Sequence, residues 1–287
     1  MPPLFYLQVA LALFTIALVA TWYKLGRAQE PSDRGFPKPV HLAIGFGTNF
    51  FDTLGIGSYA PTTALFRIFT LVPDERIPGT LTVGHVLPTI LQAFLYTTLI
   101  EIDFRTLSIL IAVSVLGAFL GAGVVAAWPR RKIQLGMGSA LLIAAVLFTL
   151  TNLGVVPGGG TALSLSGTKL LAAAAGNFML GALMTLGIGL YGPSLIMISF
   201  LGMDPRASFP IMMGSCAFLM VVAGIRFVRA QAYRQRPALG LTLGGLPAVL
   251  IAAFIVKSLS LSTVRWLVVV VVLYTAVTML RSAIKRT

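Results

Sequence analysis

Apolar residues run along this chain in long stretches separated by short polar loops, without the strict alternation of a half-buried strand. The first stretch, 4–23, has no Lys or Arg before it and ends in Trp22, Tyr23 and Lys24. That is the pattern of a retained membrane helix anchored at an interface, not of a cleaved signal peptide. Further apolar segments fall at 40–70, 80–100, 107–127, 133–150, 169–200, 207–226, 238–256 and 264–281. Most approach the ~20 residues that one crossing needs. Segments 40–70 and 169–200 are longer, and glycine and proline cut each in the middle. Residues 45–61 read GFGTNFFDTLGIGSYAP, and residues 181–193 read GALMTLGIGLYGP.

The two interruptions match. Thr53-Leu54-Gly55-Ile56-Gly57-Ser58-Tyr59-Ala60-Pro61 aligns with Thr185-Leu186-Gly187-Ile188-Gly189-Leu190-Tyr191-Gly192-Pro193, with seven of nine positions identical at an offset of 132. Asp74, Arg76 and Gly84 match Asp204, Arg206 and Gly214 at an offset of 130. This predicts a duplicated chain. Residues 1–39 form an N-terminal transmembrane helix and cytoplasmic linker, 40–150 the first repeat, 151–168 an extracytoplasmic connector, and 169–287 the second repeat. The expected fold is an all-α polytopic membrane protein. It has two inverted repeats, each a broken, re-entrant helix plus three transmembrane helices, and one extra helix in front.

Composition agrees with a membrane setting. Of 287 residues, 57% are hydrophobic and 10% charged, and the mean hydropathy is +0.94. A soluble domain carries about 25% charged residues, so a soluble enzyme and a disordered chain are both excluded. Long Leu, Ala, Val and Ile runs exclude an outer-membrane barrel. The net charge of +13 does not indicate nucleic acid, because the basic residues sit in short loops between apolar runs. Those loops fix the orientation. If both broken segments cross fully, Lys and Arg divide 13 inside to 8 outside; if both are re-entrant, they divide 16 to 5. The positive-inside rule prefers the second arrangement. It leaves three crossings per repeat, an odd number, so the repeats are inverted, with the N-terminus outside and the C-terminus cytoplasmic.

A broken helix at membrane depth leaves backbone groups unpaired, at several kcal/mol per group in hydrocarbon. It persists where protein or a water-filled cavity covers it. The N-terminus of a second half-helix offers free N–H groups and a positive dipole end, which suit a small anion. Gly55, Gly57, Gly187 and Gly189 allow close approach. Asn49, Thr53, Ser58, Thr62, Asn177, Thr185 and Ser194 are candidate donors to an oxyanion, and Tyr59 and Tyr191 candidate lining. Each alone is as readily a helix-packing residue. Asp52 is the one acid inside a membrane segment and a candidate for proton coupling; its bland alternative is a helix cap, and Met184 replaces it in the second repeat. His85 is a second proton-coupling candidate, more often a packing residue in such a place. Gln92 is a weaker cavity candidate, and His41 sits at the membrane edge. Cys216 is the only cysteine, so there is no disulfide or Cys-based metal site. Neither a metal nor a cofactor is indicated, and no GxxxxGK[ST] motif occurs.

The Gly-Ile-Gly breaks, each followed by a proline and each opening a repeat, resemble the sulfite exporter TauE/SafE family of permeases. The resemblance covers Val40 to about Arg281. In the family the motif has a longer glycine run; here Ser58 and Leu190 stand at the third glycine. The family's thiosulfate-transporting relatives rely on cysteines, which this chain lacks apart from Cys216. The resemblance implies a non-enzymatic secondary transporter of sulfite, an organosulfonate or a related sulfur-containing anion, bound between the two breaks near the midplane, in a bacterial inner membrane. The implied partners are the lipid bilayer, the anion and possible further copies of the chain. The alternatives are a passive anion channel and, further off, a membrane-embedded enzyme with re-entrant repeats, which would need clustered carboxylates or a metal.

Overall fold

A computed structural model describes residues 3–26, 33, 35–73, 76–126, 130–153, 155, 160–184, 190–258 and 260–284. Among these the chain is all-helical, with one isolated bridge between Ala162 and Met203. The helices are α1 (Pro3–Gly26), α2 (Pro39–Thr53), α3 (Tyr59–Ile68), α4 (Ile77–Leu99), α5 (Phe104–Ala126), α6 (Arg130–Asn152), α7 (Gly167–Met184), α8 (Tyr191–Phe200), α9 (Ser208–Arg229), α10 (Gln235–Ser258) and α11 (Leu261–Ile284). Both overlong segments are interrupted, the first between α2 and α3 and the second between α7 and α8. Among the described residues, three helical stretches are apolar and long enough to cross a membrane: Leu4–Gly26, Pro205–Arg229 and Gln235–Ile255. Large apolar side chains stand exposed along the helices, among them Leu13, Ile16, Phe119, Leu171 and Phe254. Such surface belongs against lipid, and the helices point to membrane association.

The chain forms two compact units, each assembled from two separate stretches. Unit 1 comprises Met1–Thr98 and Cys216–Ile255, and unit 2 comprises Leu99–Ser215 and Val256–Thr287. In unit 1, α2 crosses α10 at glycines. A Cβ on Gly45 would meet the Gly240 carbonyl and the Leu241 backbone, and one on Gly244 would meet the Leu42 carbonyl. Small residues at such a crossing let two backbones touch, which supplies van der Waals contact where lipid offers no hydrophobic drive. Ile44, Phe66, Val72, Ile77, Leu81 and Leu241 close a core around α3. α1 lies along α9, with Phe14 edge-on to Phe218 at 5.8 Å. In unit 2, α5 packs on α7 and α6 on α11. A Cβ on Gly117 would overlap the Phe178 carbonyl, and one on Gly181 the Ser114 carbonyl.

The two ends of each broken segment lie near each other. In unit 1, Lys38 and His41 at the start of α2 line one cavity with Phe69, Thr70 and Leu71 just past α3. In unit 2, Gly202 past α8 lies beside the ammonium of Lys169 at the start of α7. The second half-helices also end alike. Thr70 (φ 50°) and Gly202 (φ 97°) are left-handed. Leu71 donates to Phe66 O and Met203 to Ile198 O, the six-to-one bond of a Schellman cap. Thr70 and Gly202 are themselves 132 positions apart.

α5 starts with a side-chain cap. The Asp103 carboxylate accepts the Thr106 N–H and O–H, both at 2.8 Å. The Thr106 N–H, foremost, holds the Asp103 carboxyl below the usual aspartate range. A depressed carboxyl stabilises the fold above its unfolded value of about 3.9 and loses that contribution as pH falls through the folded value. Asp103→Ala is therefore expected to cost about 1 kcal/mol at neutral pH. The melting difference from the parent should narrow as pH falls below the ordinary aspartate range.

Candidate functional site

The first break is made by its glycines. α2 ends in a Schellman cap with Gly55 as the left-handed residue (φ 95°): Gly55 N–H donates to Asp52 O and Ile56 N–H to Phe51 O. Gly57 turns the chain again at φ 89°. A Cβ there would meet nothing within 4 Å, so Gly57 is demanded by backbone conformation and borders open space. α3 then starts at Tyr59, and the Ser58 side chain makes no capping bond to it. Pro61 sits in the first turn, where a missing N–H costs nothing.

Around this break lies a buried polar network on α2, α3 and α4. Asn49 Nδ2 donates to Gly45 O at 2.7 Å and to Leu241 O at 3.3 Å. Two carbonyls fix the amide's orientation, so Asn49 Oδ1 is the acceptor for His85 Nδ1–H at 3.0 Å. His85 Nε2 then faces Thr62 Oγ1 at 3.1 Å, while Thr62 Oγ1 also lies 2.7 Å from Ser58 O. One hydroxyl hydrogen has two acceptors. A neutral His85 takes it at Nε2; an imidazolium donates to Thr62 and turns the hydrogen to Ser58 O, the carbonyl that opens α3. On the other side, Gln92 Nε2 spends both hydrogens, on Asp52 Oδ2 at 2.9 Å and Thr53 Oγ1 at 2.8 Å. Thr53 in turn donates to Asn49 O. Gln92 Oε1 is buried with no partner among the described residues. Tyr59 O–H reaches Thr82 at 3.1 Å, and its ring lies 6.1 Å from that of His85.

Tyr96 satisfies a carbonyl that the end of α2 leaves without a helical partner, donating to Thr53 O at 2.7 Å. Tyr96→Phe keeps the ring and strands that buried acceptor. The expected loss is about 1–3 kcal/mol, read as a lower melting temperature in detergent, with Thr97→Val as a nearby control away from the break.

Five of the residues singled out in the sequence thus meet in unit 1: Asn49, Asp52, Thr53, Thr62 and His85. Ser58 joins through its carbonyl, and Tyr59 lies alongside. Sequence reasoning ranked Gln92 low and missed Tyr96 and Thr82. The available signal was spacing, because Thr82, His85, Thr89, Gln92 and Tyr96 recur every three or four residues on one face of α4.

Unit 2 holds the second break. α7 ends at Met184 and α8 begins at Tyr191; Thr185, Gly187 and Gly189 lie outside the described residues. Asn177 Nδ2 donates to Leu110 O at 2.6 Å and to Ser215 Oγ at 3.3 Å. This repeats the pattern of Asn49, which bonds one backbone carbonyl of a distant helix and the residue after a matched glycine: His85 follows Gly84, and Ser215 follows Gly214. Tyr191 and Ser194 are buried at the start of α8. Ser194 Oγ has no partner among the described residues, so it is not bonded to Asn177. The second break lacks the first one's ionisable groups: Met184 stands for Asp52 and Ser215 for His85. Among the described residues, no three His, Cys, Asp or Glu side chains are grouped to hold a metal ion.

No protein-family model, no curated protein and no solved structure matches this chain.

Proposed function

We propose that the chain is a secondary transporter of a small anion, a sulfur oxyanion or organosulfonate, of the TauE/SafE kind that its breaks resemble. It works in a bacterial inner membrane with the N-terminus outside and the C-terminus in the cytoplasm. One observation carries the reading. A helix stops on Gly55, leaves open space at Gly57 and restarts at Tyr59 without a side-chain cap. In an apolar chain this exposes amides and a positive dipole end that an anion satisfies. The nearness of the two ends of each broken segment, their matching caps and the parallel bonding of Asn49 and Asn177 support a duplicated architecture. The inverted orientation rests on the distribution of Lys and Arg. Within unit 1 the charges follow it: Arg76 reaches the carbonyls of Gln231 and Tyr233, so Arg76 joins Arg234 and Arg236 at one end.

Asp52 and His85 supply the coupling protons. They do not form one proton wire, because Gln92 and Asn49 between them are amides that hold their hydrogens. Each takes its proton separately and reports it to the break through Gln92 or Thr62.

The test is flux. Purified chain in liposomes is expected to take up sulfite or sulfoacetate saturably, faster when the lumen is preloaded with the same anion. Transport of no small anion removes the reading. Unsaturable flux without counterflow makes the protein a channel.

A further inference from the structure

A second polar feature lies at the opposite end of α2 from the break. A cavity of about 260 Å³ is lined by Asp33, Lys38, His41, Phe69, Thr70, Leu71, Arg236 and Pro237, all in unit 1. α2 has 15 residues, which puts this cavity roughly 20 Å from Gly55, so it is no part of the transport machinery described above. Its volume falls below the roughly 300–1,000 Å³ of drug-sized pockets and suits a group the size of a phosphate.

Two cations, Lys38 and Arg236, outnumber the one acid in its lining. Arg236 is anchored through Nε and Nη2 to the Phe36 carbonyl at 3.3 and 3.2 Å. Its Nη1 hydrogens have no protein acceptor among the described residues. The Lys38 ammonium has none either. His41 is 4% exposed, and its buried Nδ1 lacks a hydrogen-bond partner among the described residues. Asp33 is the one acid in the lining, and its carboxylate is already engaged by the Gln235 N–H at the start of α10. The α10 amides are therefore not the attraction; the side-chain cations are. A guanidinium fork beside a point-charge ammonium is the donor set that phosphate oxygens take. Basic pockets at the charged ends of membrane helices hold anionic headgroups.

We infer that this cavity is a binding site for an anionic phosphate group, either a phospholipid headgroup or free phosphate, held by Lys38 and Arg236 with Thr70 as a further polar contact. The full chain in phosphatidylcholine nanodiscs provides the test, with melting followed by tryptophan fluorescence. Phosphatidylglycerol is titrated into one series and inorganic phosphate into another, against sodium chloride of equal ionic strength. A saturable rise with phosphatidylglycerol alone assigns a headgroup, and the same rise with phosphate alone assigns the free ion. Lys38→Gln with Arg236→Gln should demand at least tenfold more ligand for the same rise. Should the double variant fail to fold, Lys38→Gln alone, at an exposed position before α2, is compared by native mass spectrometry for retained phosphatidylglycerol. No rise with either ligand beyond the chloride control overturns the assignment, as does an undiminished response in the variants. Neither result bears on anion flux.

Discussion

On the proposed transport function, Asp52→Asn should leave a protein that exchanges an anion across the bilayer but no longer accumulates it when a pH gradient is imposed. Asparagine keeps the shape of aspartate, and its Oδ1 still accepts from Gln92 Nε2 at the position where Asp52 Oδ2 stands 2.9 Å away. What disappears is the group that gains and loses a proton. Gradient-driven uptake is expected to fall about tenfold or more, as for a buried intramembrane carboxylate with a coupling role. Counterflow, which needs no net proton movement, should stay within about twofold. Undiminished gradient-driven uptake in the variant would show that the proton travels elsewhere. Loss of both activities together would mark Asp52 as structural.

A comparably large effect, on folding, is expected at the α5–α7 crossing. A Cβ on Gly117 would sit inside the Phe178 carbonyl, and one on Gly181 inside the Ser114 carbonyl. Backbone cannot turn aside as a flexible side chain can, so the helices must separate. Gly117→Val should cost about 3 kcal/mol or more, seen as loss of folded protein by size-exclusion chromatography. Separating α5 from α7 also removes Leu110 O from Asn177, which strands a buried amide. Gly47→Ala is the control. It lies inside α2 with nothing within 4 Å of a new Cβ, and by helix propensity it should stabilise by up to about 1 kcal/mol. Equal damage at both positions would refute the close-approach argument.

These residues show what the sequence discloses. Apolar runs predicted the helices to within a few residues: 80–100 is Ile77–Leu99 and 207–226 is Ser208–Arg229. Such runs are local, and twenty apolar residues fold the same way whatever their neighbours. Gly55, Gly57 and Pro61 announced the first break because a turn at positive φ favours glycine and a helix's first turn accepts proline. The partners of Asp52 were harder to see. Gln92 is 40 residues away on another helix, and no spacing within α2 points to it; only the polar stripe on α4 does. The crossing of α2 with α10, and of α5 with α7, left no periodic trace. Glycine is common in membrane helices, and nothing local tells a packing glycine from an idle one: Gly45 meets backbone, whereas Gly47 two positions on meets nothing.

The composition of the units bears on how the chain is made. Asn49 bonds Leu241 O across 192 positions, whereas Asn177 finds Leu110 O only 67 positions back. At ribosomal speeds of about 5–20 residues per second, the first hairpin waits roughly 10–40 s for its acceptor. The second finds its own already synthesised. During that interval a polar amide and an uncapped half-helix stand in nascent form without their final helix. Chains cut short before Gln235 never make the α10 carbonyl of Leu241, so Asn49 Nδ2 keeps Gly45 O alone as its acceptor.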